Sequence, residues 1–315
     1  MTLLIAAGID AGQRFLDVAL APSGRTFRTP NTPAGIAQIV QRLAAQDVRR
    51  VVLEAIGPYT RGLVTALAGA GFEVGLVNPR RIKAYREAEG RRAKTDRLDA
   101  GLIARFALTM SETLRPLPTP AQTRLKALSQ RRRQLVEMIA MEKVRLKQAE
   151  EPMLRDSHRA AIADLAAGLA RIEAALAQAL EADPAMKATL AILTSIPGIG
   201  VRIATLLVTD LPELGGTDRK AIASLAGLAP HVSQSGTAPP RAAIAGGRPC
   251  VRAALYMAAL VAARHNPDLR PEYEALRRAG KPAKVALIAV ARRLVVLANA
   301  RVRDGAPYEN RAIAP

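Results

Sequence analysis

The chain has 315 residues, half of them hydrophobic, enough for about two domains and a connector with a buried core. Lysine and arginine number 46 against 27 acidic residues, and the resulting charge of +19, spread along the whole chain, points to a nucleic-acid partner rather than a small acidic substrate. A single cysteine (Cys250) excludes a disulfide framework and a cysteine-based zinc site, three scattered histidines argue against a histidine metal site, and 3% aromatics with no tryptophan argue against a single-strand base-stacking platform.

Residues 3–9 and 15–20 read as a strand pair broken at Gly12, and residues 26–29 add a third strand after the Ser23-Gly24 turn. The opening segment lacks the basic front of a signal peptide and runs into Gly8-Ile9-Asp10, so it is taken as a strand. Ile36, Ile39, Val40 and Leu43 have helical spacing over residues 33–45. Residues 51–55 form a short buried strand, 59–70 a helix stopped by Gly71, and 72–77 a strand ended by Asn78-Pro79. Residues 96–109 are helical again. This order predicts an α/β domain with a mixed sheet.

Three prolines in 114–120 mark a linker. Beyond residue 121 the pattern is helical, and Ile162, Leu165, Leu169, Ile172 and Leu176 are spaced as in a coiled-coil seam. Pro152 splits the region into two long helices, which form either an antiparallel pair within the chain or a dimer contact. Residues 188–193 are helical, 195–200 form a tight turn, and a helix through Ile203, Leu206 and Leu207 follows. A Gly, Pro and Ser-rich stretch covers 227–249, and helices near 250–264 and 284–303 close the chain. No apolar run reaches the roughly 18–20 residues of a membrane span, so a cytoplasmic protein is expected.

Asp10 ends an apolar strand, and Glu54 stands in Val51-Val52-Leu53-Glu54-Ala55, a poor place for a charge without a partner. Asp96 and Asp99, in Lys94-Thr95-Asp96-Arg97-Leu98-Asp99, share a helix face at about 5–6 Å between Cβ atoms, with Thr95 as a possible N-cap. Each piece alone also reads as an ordinary cap or a solvated helix start. Together, four acids on two strand ends and one helix start can hold Mg2+ or Mn2+ for phosphoryl transfer. Arg80-Arg81, Arg91-Arg92-Lys94, Arg131-Arg132-Arg133 and Arg292-Arg293 are candidate backbone contacts for DNA or RNA, or plain solvated faces.

The element order and the acids resemble the RNase H-like fold of the RuvC type over residues 1–110. Ile196-Pro197-Gly198-Ile199-Gly200 resembles a helix-hairpin-helix turn. Leu225-Ala226-Gly227-Leu228-Ala229-Pro230, Ser233-Gln234-Ser235-Gly236, Gly246-Gly247-Arg248 and the following helix complete a further likeness. Together these segments resemble the insertion-sequence transposases that pair a RuvC-like DEDD domain with a C-terminal serine domain, a family that includes bridge-RNA-guided recombinases and pilin-gene invertases. The resemblance implies an α/β RNase H-like domain at 1–113, a linker and helical coiled-coil region at 114–183, and a mainly α serine transposase domain at 184–315. It implies a DEDD metal set of Asp10, Glu54, Asp96 and Asp99, and a catalytic Ser235 that forms a phosphoserine link to DNA, with Ser233 as the nearby competitor. It leaves open whether Arg241 or Arg248 steadies the phosphate. The implied partners are donor and target DNA, a structured noncoding guide RNA, and further copies of the chain (a dimer, or a tetramer in synapsis). Mg2+ or Mn2+ is the implied cofactor, with no nucleotide. The rival readings are a junction-resolving nuclease using the acids alone and a non-catalytic basic nucleic-acid-binding protein.

Overall fold

The computed structural model describes residues 4–54, 58–90, 96–109, 119–233 and 241–309. The chain divides into two compact units, Met1–Pro118 and Thr119–Pro315. The first holds one mixed sheet made of β1 (Ala6–Ala11), β2 (Phe15–Ala21), β3 (Thr26–Pro30), β4 (Arg50–Glu54) and β5 (Glu73–Val77). Its strand order is β3-β2-β1-β4-β5; β1, β2 and β3 pair antiparallel, while β4 and β5 run parallel to β1. This is the mixed sheet expected from the sequence.

Helices cover both faces. α1 (Pro33–Ala44) and α2 (Arg61–Gly69) bury Ile39, Leu43, Leu63 and Leu67 against Ile9, Val18, Val51 and Leu53. α4 (Asp96–Thr109) covers the other face, packing Ala100, Leu102, Ile103, Ala104 and Phe106 over Ala6, Ala19, Ala21 and Val52. Between β5 and α4 lies α3 (Pro79–Ala88), a helix absent from the sequence reading. Asn78-Pro79 reads as a strand stop, yet it is also a helix start: Asn78 Oδ1 accepts from the Arg80 amide and Pro79 sits in the first turn. Only Ile82 of α3 is buried, so its apolar period is too faint to signal a helix.

The approach of α4 is very close. A Cβ built on Gly8 would lie 2.1 Å from the Ala104 amide nitrogen and 2.4 Å from the Ala100 carbonyl oxygen. Both are backbone atoms that cannot swing aside. Gly8→Ala is therefore expected to destabilise the N-terminal unit by roughly 2–3 kcal/mol through overpacking, read as a lowered urea midpoint.

The second unit begins with a helical hairpin. α5 (Pro120–Gln148) and α6 (Pro152–Glu181), of 29 and 30 residues, each extend about 45 Å. A capping box at Thr119 and Gln122 starts α5, and Glu151 caps α6. Arg132 pairs with Glu173 and His158 with Glu142, which sets the two helices antiparallel within one chain. The seam residues Ile162, Leu165, Leu169 and Ile172 are half-buried, while Leu176 and Leu180 are buried. Val144, Met153 and Leu154, near the hairpin tip, are exposed.

The rest is α7 (Pro184–Thr194), α8 (Val201–Asp210), α9 (Arg219–Leu225), β6 (Pro230–Ser233), β7 (Arg241–Ile244), α10 (Pro249–His265), α11 (Arg270–Arg278) and α12 (Ala283–Asp304). α9, α11 and the β6-β7 pair are additions to the sequence reading. α7 to α10 and α12 share one core around Leu193, Leu207, Ile222, Leu255, Val290 and Leu294. Buried Asp210 joins α5 to this core, accepting from Arg133 Nη1 at 2.7 Å, Ser129 Oγ at 3.0 Å and Thr209 Oγ1 at 3.0 Å.

At the hairpin tip, hydrogen bonds from His158 and then Arg145 hold Glu142 below the usual carboxylate range. A depressed carboxylate contributes stability above its unfolded value, and that contribution is lost as pH falls through the folded one. The tip is expected to open more readily below about pH 4, and Glu142→Gln to remove that pH dependence. Amide exchange corrected for intrinsic rates checks both.

Candidate active site

β1 and β4 pair in parallel register through Gly8↔Val52 and Ile9↔Leu53. One residue further on, Asp10 and Glu54 stand side by side at the C-terminal ends of their strands. Ile9 and Leu53 belong to the core under α1 and α2, so strand alternation turns Asp10 and Glu54 to the α4 face. In the other direction Asp10 lies opposite Asp17 of β2, and Asp17 opposite Arg28 of β3. One row thus crosses four strands: Arg28, Asp17, Asp10, Glu54.

Asp17 and Arg28 are absent from the sequence reading. Asp17 is buried at 3% exposure and accepts from Arg28 Nε at 2.9 and 3.1 Å and Nη2 at 2.7 Å. The signal was available: Asp17 sits in Phe15-Leu16-Asp17-Val18-Ala19-Leu20, the same kind of apolar strand that singled out Glu54. Asn31 Nδ2 donates to Gly12 O and Tyr59 O, tying the turn after β1 to the 3-10 turn Pro58–Thr60 that follows β4.

α4 runs antiparallel to β1. Its C-terminal end is fixed where Arg50, the first residue of β4, donates to Ala107 O at 3.2 Å, and Ala100 and Ala104 lie over Gly8. Its first turn therefore lies at the Asp10–Glu54 end. Asp99, in that turn, is buried and accepts from Arg86 Nη2 of α3 at 2.6 Å. Asp96 begins α4, but its side chain, like Thr95, lies outside the described residues. Two further contacts lock α3 to α4: Arg105 with Glu89 at 3.0 Å, and the Tyr85 ring edge-on to Phe106 at 5.5 Å.

The donor set is carboxylate oxygen throughout, which suits a hard divalent cation. Among the described residues, no group of three or more acidic, histidine or cysteine side chains is gathered into a metal site. Arg86→Ala leaves the Asp99 carboxylate buried without its counter-ion. It is expected to lower the stability of the N-terminal unit by about 3 kcal/mol, with partial recovery in Arg86→Lys, measured by urea denaturation.

In the second unit, Ser235 lies outside the described residues, within 234–240. The strands that flank this segment are described: β6 and β7 pair antiparallel with Ser233 opposite Arg241. The hairpin base is built from backbone. Gly247 (φ +60°) approaches Gly227 so closely that an added Cβ would lie 2.2 Å from the Gly227 nitrogen. Arg252 Nη1 donates to Gly246 O at 2.9 Å, and Arg248 holds Glu213 through two bonds of 2.6 and 2.7 Å. The Gly-Leu-x-Pro and Gly-Gly-Arg motifs, 20 residues apart at Gly227 and Gly247, are thus one structural feature.

The basic clusters divide. Arg80 and Arg81 are exposed, and Arg131 is exposed. Arg132 and Arg133 are engaged inside the unit with Glu173 and Asp210, and Arg293 pairs with Glu272. Arg91, Arg92 and Lys94 lie outside the described residues.

The geometry is a mixed sheet with Asp10 and Glu54 in register at parallel strand ends and a helix whose first turn, carrying Asp99, lies at that end. The comparisons narrow this. A model described as a transposase, of the IS110 DEDD type, matches residues 7–150, and one described as the IS116/IS110/IS902 transposase family matches residues 190–274. The chain belongs to this IS110 family of transposases. The pilin gene-inverting protein of Moraxella lacunata is 28% identical over 265 residues, covering 83% of this chain and 82% of that protein. An uncharacterized 43.6 kDa protein of insertion element IS110 from Streptomyces coelicolor is 34% identical over 146 residues, 44% of this chain and 34% of that protein. Among solved structures, T. thermophilus RuvC in complex with a Holliday junction substrate matches 36% of this chain and 100% of that chain, at 18% identity and a TM-score of 0.29.

Proposed function

We propose that this transposase is a divalent-metal-dependent, RNA-guided DNA recombinase that cuts and rejoins strands through Ser235. The observation that supports the acid half of this reading is the in-register pair Asp10–Glu54 beneath the first turn of α4. Asp10, Glu54, Asp96 and Asp99 are the residues that would hold Mg2+ or Mn2+. When bound, such ions supply Lewis-acid stabilisation of charge on the attacking and leaving oxygens.

Ser235 Oγ attacks a DNA phosphorus, the bond to one deoxyribose oxygen breaks, and the serine proton ends on that departing hydroxyl. The phosphoserine ester keeps the phosphodiester energy, so a hydroxyl from a second strand can reseal the backbone without a nucleotide cofactor. The β6-β7 strands flank the serine segment, and the Gly227–Gly247 contact with Arg252 braces their base. Arg248 is engaged with Glu213, which favours Arg241 for the phosphate-steadying role. The exposed first residues of α8, Val201 and Arg202, which follow the 195–200 turn, are assigned to DNA backbone contact. The exposed apolar residues near the α5-α6 tip are assigned to assembly with further copies. Base pairing with a noncoding RNA supplies target choice, as protein contacts to backbones carry no sequence.

The test is a covalent adduct. Protein co-expressed with the noncoding DNA flanking its gene is mixed with labelled element-end DNA and Mg2+, denatured and run on a gel. A protein–DNA adduct is expected, absent in Ser235→Ala and in Asp10→Ala and retained in Ser233→Ala. Cleavage without adduct, unaffected by Ser235→Ala, would sink the serine step and leave a hydrolytic nuclease acting through the acids alone.

A further inference from the structure

Of the nine aromatic residues in the chain, seven are buried or half-buried; Phe15 and Tyr59 are the exposed ones, at 43% and 42%. An exposed phenylalanine ring forfeits the stabilisation that burial would give, and leaves an apolar face open to a ligand. Phe15 stands on the acid-bearing face of the sheet. Leu16, Val18 and Leu20 of β2 turn to the α1-α2 core, so Phe15 turns the same way as Asp17. Arg28 lies over the ring, its Cζ 5.3 Å from the centroid. The guanidinium is not free to wander: three hydrogen bonds to Asp17, whose side chain is 5% exposed, fix its plane. A ring and a guanidinium therefore form a rigid, partly exposed π surface.

Its place relative to the acids follows from register. Asp17 is directly opposite Asp10. Phe15 is two residues along from Asp17, so strand spacings put it within about 8 Å of Asp10. At about 3.4 Å per nucleotide, that is two nucleotides from a phosphate held at Asp10. Bases inside a duplex already stack on their neighbours and offer no face to a side chain. A surface ring beside a cleavage site suits a base that is unpaired or terminal. Aromatic and arginine planes are the side chains that accept such a base without reading its identity.

We propose that Phe15, with Arg28 held by Asp17, is a stacking shelf for an unpaired nucleobase flanking the phosphate at the acid site. The shelf takes a single base, unlike the multi-base platform that the low aromatic content argues against, and it rests on the reading that the acid cluster acts on DNA. Asp17 and Arg28 are positioning residues here; Phe15 is the contact.

The chain has no tryptophan, so Phe15→Trp installs a sole tryptophan at the shelf, excited at a wavelength where the five tyrosines do not absorb. The full-length protein is titrated with labelled hairpin DNA carrying a single-stranded overhang, and with a blunt hairpin, in Ca2+. Anisotropy reads affinity and tryptophan emission reads stacking. The overhang DNA is expected to quench Phe15→Trp, and the blunt hairpin to bind without quenching. Phe15→Ala and Phe15→Leu are expected to bind the overhang DNA about tenfold more weakly and the blunt hairpin as wild type does. Phe15→Leu keeps an apolar contact with unchanged melting, which separates lost stacking from lost folding. Equal overhang affinity in wild type and Phe15→Leu, or anisotropy-proven binding without quenching, overturns the shelf. Both readouts are of binding and are repeated in Asp10→Ala carrying the same reporter, with DNA cutting measured separately in Mg2+; quenching retained and cutting lost is the expected result. Quenching there together with undiminished DNA cutting overturns the acid-site reading and keeps the nucleobase contact; cutting lost there without quenching overturns the shelf alone.

Discussion

The approach of α4 to β1 at Gly8 is the constraint on which the proposed acid site depends. Carboxylates at strand ends and carboxylates on a helix converge only if the helix axis lies close to the sheet and its first turn falls at the right end. The absence of a Cβ at Gly8 lets the Ala100–Ala104 backbone lie directly on β1. Ala6, Ala19, Ala21, Ala100 and Ala104 extend that small-residue contact on both sides. Larger side chains there would lift α4 and carry Asp99 away from Asp10 and Glu54. The proposed site therefore rests on small residues beside the carboxylates: Gly8 stands two positions from Asp10, and Ala100 adjoins Asp99.

Charge in this chain has two uses that composition does not separate. Arg28, Arg86 and Arg105 hold acids within the first unit, and Arg132, Arg133 and Arg248 do so within the second. Removing one partner of such a pair leaves a poorly solvated charge, so these arginines act as braces. Exposed residues such as Arg80, Arg81, Arg131 and Arg202 are the ones placed to meet a polyanion. Arg131-Arg132-Arg133 shows the division within three consecutive residues, because successive helix positions point about 100° apart.

The second unit uses backbone contact in the same way as the first. Gly227 and Gly247 meet with no room for side chains, closing the base of the β6-β7 hairpin. Arg252 then bridges to Gly246 O, and buried Asp210 pins the long α5 helix to α8 through Ser129 and Arg133. Each device joins segments far apart in sequence through groups that need exact complementarity of donors and acceptors or the absence of a side chain.

Much of this was legible in the residues. Strand alternation and helical spacing identify β1 to β5, α1, α2 and α4, because each has a buried face with a regular period. Asp10 and Glu54 stand out because an acid in an apolar strand demands a partner. α3, α9 and α11 escaped: α3 buries one residue and α11 none, leaving no apolar stripe to read, while α9 has only seven residues. The β6-β7 pair was hidden in a stretch whose Gly, Pro and Ser content signals a loop. Asp17 was passed over although it met the same criterion as Glu54. By itself, then, the sequence determined the local elements, the acids that needed company and the basic character, since these follow from period, burial cost and composition. Only the tertiary structure decided that Asp17 and Arg28 share a row with Asp10, that Arg86 holds Asp99, and which arginines face outward. Those are matters of register and of which chain segments meet, and neither is encoded within a single stretch of residues.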